Sequence, residues 1–303
     1  YTNKKQITLI TYKNSIKSNS YSEKSCEGLK ELKLIAKVNC DENTKKSEFT
    51  KKVNENISNG TDLLISIDNA SKTSIYKLAQ NNKKVNFVVF NTEYNKNLDN
   101  LTTVEINYVE SGFLAGVLAA KETKTKKIAF LGGINNDIAN QYEDGFKLGV
   151  KMTNTNIKVT SLYIGNNDDE SLAYENATNL YNLNNDIIFQ ILDDGAIGVM
   201  DSAKENNKYF IGLSNDQEKL FSNNILASIN INMNTAVKNI SKSYLKKEKI
   251  GGKNFEYGIS DGVIKITLKK NVNSNTKQIV KELETKFKNK DINISNNKVI
   301  KTS

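Results

Sequence analysis

Three sets of residues in this chain have types and spacing suited to chemistry. Asn91-Thr92-Glu93 and Ser214-Asn215-Asp216 each follow an apolar run that reads as a strand, and place amide, hydroxyl and carboxylate groups at its carboxyl end. Asp193-Asp194 stand just before Gly195, where a helical pattern opens. Such groups can hydrogen-bond a polar solute, or they can simply turn the chain or cap a helix, and the sequence leaves both uses open. Gly132-Gly133 after a strand resembles a phosphate-cradling turn, but the full glycine spacing and the Lys-Ser/Thr pair are missing. Asp168-Asp169 and Asp193-Asp194 are neighbours on polar stretches, not a separated acid and base. No nucleophile stands at a recognisable spacing from a base, so no catalytic residue is expected.

Composition narrows the chemistry further. The chain of 303 residues has no His, Pro or Trp, and all 43 of its basic residues are Lys. Imidazole-based triads and metal sites are excluded. Two cysteines are too few for a thiolate zinc site, so neither a metal nor a cofactor is expected. The net charge of +9 raises the question of nucleic acid. The lysines are dispersed, and no Arg is present to fork onto guanine or phosphate, so no nucleic-acid partner is expected. A lysine-coated surface near an anionic cell envelope accounts for the charge more simply. Mean hydropathy is −0.53, and no apolar run approaches the roughly 18 residues of a membrane span. Tyr1 is not a start methionine, which suggests a mature or trimmed chain.

The elements that must position these residues alternate from end to end. The pattern predicts strands at Gln6–Tyr12, Leu32–Val38, Leu63–Ile67 and Val85–Asn91, separated by helices at Ser22–Glu31, Ser47–Ser58 and Lys72–Asn81. A small-residue helix follows at Ser111–Glu122, with Gly112 and Gly116 spaced for close packing. The alternation restarts at Lys127 and runs through strands ending at Leu131, Ile164, Ile191, Leu213 and Ile231. A helix, two further strands and a last helix at Thr276–Lys288 close the chain. Alternating strands and helices imply parallel sheets built from βαβ units. The expected fold is α/β, with two doubly wound three-layer lobes joined by a hinge. The expected lobes are 1–123 plus 232–262, and 124–231 plus 263–303. In such folds ligands sit outside the carboxyl ends of the strands. Cys26 falls one turn into the first helix and Cys40 just past the second strand, which could bring them into disulfide range. The other reading is two reduced, small apolar side chains.

Several stretches together resemble the basic membrane protein family, the purine-nucleoside-receptor type of substrate-binding lipoprotein. They are Glu110-Ser-Gly-Phe-Leu-Ala-Gly-Val-Leu-Ala-Ala, Phe130-Leu-Gly-Gly133, Tyr142-Glu-Asp-Gly-Phe-Lys-Leu-Gly-Val150 and Asp186-Ile-Ile-Phe-Gln190. Phe210-Ile-Gly-Leu-Ser-Asn-Asp-Gln217, Tyr257-Gly-Ile-Ser-Asp-Gly262 and Asp291-Ile-Asn-Ile-Ser-Asn-Asn-Lys-Val299 continue the series in order. The resemblance implies a periplasmic-binding-protein type I-like fold and an extracytoplasmic receptor anchored by lipid to the outer face of a bacterial cell membrane. It also implies a monomer that delivers a nucleoside or similar aromatic small molecule to an ABC permease as its lobes close.

The resemblance maps the family's ligand groups onto Ser18, Tyr21, Ser22, Asn91, Phe189, Ser214 and Asp216, with Asp193 and Asp194 as replacement carboxylates. Tyr21 and Phe189 would be the aromatic walls. Family aspartates fall on Ser18, Asn91 and Ser214, so charged hydrogen bonds worth about 1.5–3 kcal/mol give way to neutral ones worth about 1 kcal/mol. That exchange raises an alternative, in which the fold is kept by a sensory or surface-interaction protein with an altered ligand or none.

Overall fold

The computed structural model describes residues 3–12, 21–92, 98–214, 223–296 and 298–302. The elements run β1 (Gln6–Tyr12), α1 (Tyr21–Lys30), β2 (Lys37–Thr44), α2 (Phe49–Ser58), β3 (Leu63–Ser66), α3 (Lys72–Asn81), β4 (Asn86–Phe90) and β5 (Leu101–Ile106). Then come α4 (Tyr108–Glu122), β6 (Lys127–Gly132), α5 (Asp137–Thr153), β7 (Lys158–Tyr163), α6 (Glu170–Asn182), β8 (Ile187–Gln190), α7 (Ala196–Asn206), β9 (Tyr209–Leu213) and β10 (Ile225–Ile231). The chain ends with α8 (Met233–Leu245), β11 (Asn254–Tyr257), β12 (Ile264–Leu268), α9 (Ser274–Lys288) and the hairpin β13 (Ile292–Ser295) and β14 (Lys298–Lys301).

These elements form two compact units. Tyr1–Ile106 with Asn232–Tyr257 make the first, and Asn107–Ile231 with Gly258–Ser303 the second. The sheet of the first unit has the order β2-β1-β3-β4-β5-β11, with every pair parallel. Its central strands are buried on both faces, which is why Leu63–Ser66 and Asn86–Phe90 read as apolar runs rather than alternating ones. Ile10, Leu64 and Val89 pack beneath Phe49 and Val53 of α2 and Ile75 and Leu78 of α3. On α1, Gly28 has no room for a side chain: a Cβ there would lie 2.2 Å from the Asn234 carbonyl oxygen of α8.

The second unit repeats the plan as β7-β6-β8-β9-β10-β12. Its first five strands are parallel, and β12 runs antiparallel to β10. Ala129, Leu131 and Ile188 pack against Ala173 and Leu180 of α6 and Val199 and Met200 of α7. Helices α4 and α5 meet backbone to backbone. A Cβ on Gly112 would lie 2.1 Å from the Tyr142 carbonyl oxygen, and one on Gly116 2.2 Å from that of Phe146. Gly145 and Gly149 return the same constraint against Val109 and Phe113.

This contact moves the division expected from sequence. Helix α4 packs on α5 and belongs to the second unit, so the chain leaves the first unit after Ile106 rather than after 123. It re-enters the second unit at Gly258 rather than after 262, because Glu110 of α4 sits against Gly258 and accepts the Ile259 N–H at 3.4 Å.

The second strand also differs from expectation. Leu32–Val38 is mostly a turn in which Leu32 and Ala36 are buried while Leu34 and Ile35 are exposed, and β2 begins at Lys37. Cys40 therefore lies within β2, its register partner being Leu9. Cys26 and Cys40 form a disulfide with Cα atoms 5.9 Å apart, tying α1 to the edge strand. Strand β5 and the terminal hairpin were not expected from the sequence pattern. No helix among the described residues is long and apolar enough to cross a membrane.

Candidate functional site

Each unit places polar residues at the carboxyl ends of its parallel strands. In the first unit β1 ends at Tyr12 and β3 at Ser66, the two strands flanking the point where the order reverses. Just beyond β3, the nearly buried carboxylate of Asp68 accepts the Tyr12 N–H at 2.9 Å. Ser71 Oγ donates to the Asp68 carbonyl at 2.7 Å, so in the Ser66–Ser71 hydroxyl pair, also at 2.7 Å, Ser66 must be the donor. Burial, and then the Asp68 charge, push the Tyr12 hydroxyl pKa up. Asp68 was not singled out from the sequence. Its position two residues past an apolar run, at the reversal point, was the available signal.

Asn91 follows β4 with φ of 56°, in the left-handed region. Its N–H donates to the Val104 carbonyl of β5 at 2.7 Å. Its side chain makes no hydrogen bond among the described residues. Tyr21 and Ser22 open α1 and are half-buried. Ser18 lies outside the described residues.

In the second unit Ser214 follows β9 with φ of 66°, and its N–H donates to the Ile229 carbonyl of β10 at 2.9 Å. It occupies the same place in its sheet as Asn91 does in the other. Its hydroxyl is buried and meets no partner among the described residues. A non-glycine residue in left-handed backbone is strained, and such strain persists where surroundings hold it, commonly at binding sites. A buried hydroxyl without a partner carries a separate cost, because it has given up its hydrogen bonds to water. Asp216 lies outside the described residues.

Asp193 and Asp194 sit at the amino end of α7, both half-buried. They do not cap it with their side chains, since Gly195 is the N-cap and no side-chain cap bond is made. The loop is pinned instead through backbone: the Asp193 and Gly195 N–H groups both donate to the Asn167 carbonyl at 3.0 Å. This holds the two carboxylates at the positive end of a helix dipole.

One expectation needs correction. Phe189 is not an accessible stacking wall. Its ring is fully buried among Phe130, Tyr142 and Phe146, with centroids 5.3–6.1 Å away, because its side of β8 faces α5. The turn at Gly132-Gly133, which lacks the phosphate-cradling spacing, is filled by Asn167. A Cβ on Gly133 would lie 1.9 Å from Asn167 Oδ1, which accepts the Ile134 N–H at 3.0 Å.

Two α/β units with parallel sheets, both presenting hydroxyl, amide and carboxylate groups at their strand ends, define a solute-binding protein. The whole-chain match to the family described as ABC transporter substrate-binding protein PnrA-like, over residues 5–298, agrees, and the chain belongs to that family. It is a binding protein rather than an enzyme, of a class that works outside the cytoplasm. It is 30% identical over 265 residues to basic membrane protein D of Borreliella burgdorferi, covering 86% of this chain and 78% of that one. It is 28% identical over 303 residues to the ABC transporter nucleoside-binding protein BmpA of Lactococcus lactis, covering 92% and 86%. The match to basic membrane protein A2 of Borrelia garinii is 34% identical but spans 59% of that protein. Among solved structures, a transcriptional activator of the comK gene from Bacillus halodurans aligns with a TM-score of 0.80 at 19% identity, over 93% of this chain and 97% of that one. A solute-binding protein of an ABC transporter system from Aeropyrum pernix aligns with a TM-score of 0.74 at 15% identity, over 96% and 93%. These two show the fold.

Proposed function

We propose that this protein captures a nucleoside or a similar flat aromatic solute by closure of its two lobes and delivers it to an ABC permease for import. The observation that carries this reading is the matched pair of strand-end residues. Asn91 and Ser214 are both held left-handed, both tied through their N–H to the neighbouring strand, and both keep a side chain without a partner among the described residues. The family resemblance places ligand-gripping aspartates at these two positions. Asp and Asn tolerate left-handed backbone better than most residues, so the geometry suits the family's carboxylates even where this chain has replaced them. Tyr21 supplies one stacking face, and Asp193, Asp194 and Asp216 supply charged acceptors for sugar hydroxyls. With Phe189 in the core, the second face of the ring is left to another side chain.

A thermal-shift screen of purine and pyrimidine nucleosides, free nucleobases and sugars tests the reading. A ligand at 100 times its dissociation constant stabilises the folded state by about 2.7 kcal/mol. A shift with one nucleoside or nucleobase and none with ribose is the expected result. No shift with any nucleoside or nucleobase contradicts it and favours a fold retained for sensing or surface interaction.

A further inference from the structure

The first unit carries an apolar and basic surface at the end of its sheet opposite the ligand-bearing residues. The turn between α1 and β2 lifts Leu34 and Ile35 into solvent, 79% and 55% exposed. The turn is not slack. Leu32 and Ala36 are buried on either side of the tip, and the Leu32 carbonyl accepts the N–H groups of both Ile35 and Ala36 at 2.9 Å. The Lys37 N–H then donates to the Lys5 carbonyl at 2.8 Å, fixing the turn to the start of the chain. Beside it lies a shallow groove of about 450 Å³ lined by Asn3, Lys4, Lys5, Ile35, Leu245 and two further lysines, Lys242 and Lys246. Lys5 is paired with Asp62 at 3.3 Å, and Lys238 of α8 with Glu31 at 2.7 Å. Lys4, Lys33, Lys242 and Lys246 are exposed and make no ion pair among the described residues.

We propose that this face docks on an anionic lipid surface, with Leu34 and Ile35 entering the boundary between headgroups and acyl chains while the four unpaired lysines meet phosphate groups. The charge complement is specific. Lys4, Lys242 and Lys246 line the groove with Ile35, and Lys33 precedes Leu34 in the same turn, so uncompensated cations flank two exposed apolar side chains, the arrangement interfacial binding uses. A protein partner of ordinary composition would bring acidic side chains to this groove, but would leave Leu34 and Ile35 needing a matching pocket. A bilayer surface receives both without one. Docking here leaves the carboxyl ends of β1, β3 and β4 free, so ligand capture is not obstructed.

The test is co-sedimentation of the chain with vesicles of phosphatidylcholine alone and of phosphatidylcholine with phosphatidylglycerol, at low and high salt. Binding to the anionic vesicles, weakened by salt and absent on the neutral ones, is expected. Leu34→Ser with Ile35→Ser is expected to weaken binding about tenfold or more from the lost apolar insertion. Lys4→Glu with Lys246→Glu is expected to weaken it by a similar factor. Lys204→Glu with Lys281→Glu makes the same change in net charge in the second unit and is expected to change binding less than about twofold if the face, not the total charge, is responsible. Equal losses in the two lysine pairs, unchanged binding in the Leu34/Ile35 variant, or no binding to anionic vesicles would overturn the proposal. So would concentration-dependent dimerisation lost with Leu34→Ser and Ile35→Ser, which assigns the face to a second copy of the chain. All of these positions are exposed, so a folded variant is expected in every case, and circular dichroism checks it.

Discussion

The two units share one strand order and differ in how they hold their outer layers. The first unit staples its edge covalently: the Cys26–Cys40 disulfide joins α1 to β2, the polar strand with a neighbour on one side only. The second unit has no cysteine and relies on close approach, with four glycines of α4 and α5 letting two backbones meet. The sixth strand differs as well. In the first unit β11 joins parallel after α8, while in the second β12 comes directly from β11 and joins antiparallel. The shared part of the plan is the part that presents Asn91 and Ser214. The differing parts are devices that keep each sheet covered.

The largest effect expected from this contrast is at the glycine contact. Gly112→Ala or Gly145→Ala should destabilise the second unit by about 3 kcal/mol or more, because each Cβ would lie 2.0–2.1 Å from a backbone oxygen that cannot yield without parting the helices. Urea denaturation measures it, and a change near zero would mean the helices are not in backbone contact. Removing the staple ranks next. Cys26→Ala with Cys40→Ala closes no loop across the separation of 14 and should cost about 3 kcal/mol in the first unit, with the second unfolding as before. Unit-resolved hydrogen exchange separates the two losses.

Smaller effects are expected at the strand ends. Ser214→Gly should stabilise the fold by about 1 kcal/mol, since glycine relieves the left-handed strain and removes a buried hydroxyl without a partner. Asn91→Gly should gain less than about 0.5 kcal/mol, because Asn already tolerates that backbone. Both should weaken ligand binding, a gain in stability at the expense of function. Smallest are two carboxylates of opposite sign. At Asp41 burial is the largest single influence and acts upward, but the Lys52 bond at 2.6 Å, the other hydrogen bonds to the carboxylate and the Lys52 charge together outweigh it, and the folded pKa is lowered. Its contribution is therefore present above the ordinary carboxylate pKa near ~4 and disappears as pH falls through the lower folded value. Asp41→Asn should cost under about 1 kcal/mol at neutral pH and nothing in strong acid. At Glu284 burial wins and the pKa is raised. The folded state then loses stability as pH rises through that value, so Glu284→Gln should be stabilising at neutral pH and indifferent in acid. Stability curves across pH for both variants check the signs.

Apolar runs made much of the fold legible in the sequence. The bounds of Gln6–Tyr12 and the strand ends at Leu213 and Ile231 are matched to the residue, because each of these strands is buried along nearly its whole length. The elements that escaped have their signal elsewhere. Strand β2 is a polar edge, and the apolar run before it is a turn whose Leu34 and Ile35 face outward. Strand β5 is Thr-rich, and its buried hydroxyls are satisfied far along the chain, Thr102 by the Ile250 carbonyl and Thr103 by Asn254. Phe189 was legible as part of a buried strand, but not which face of the sheet its ring would occupy. Asn91 and Ser214 were legible as polar residues at strand ends, and the resemblance added their role. Their left-handed backbone has no mark in the sequence, because neither is glycine.

The central claim is that these two strand ends grip a nucleoside-like solute. Isothermal titration of purine and pyrimidine nucleosides into the parent chain and into Ser214→Asp tests it most directly. One-to-one binding of a nucleoside, weakened by Asn91→Ala and tightened roughly tenfold by Ser214→Asp as a neutral hydrogen bond becomes a charged one, is the predicted result. No binding by the parent chain, or binding indifferent to both substitutions, would contradict it.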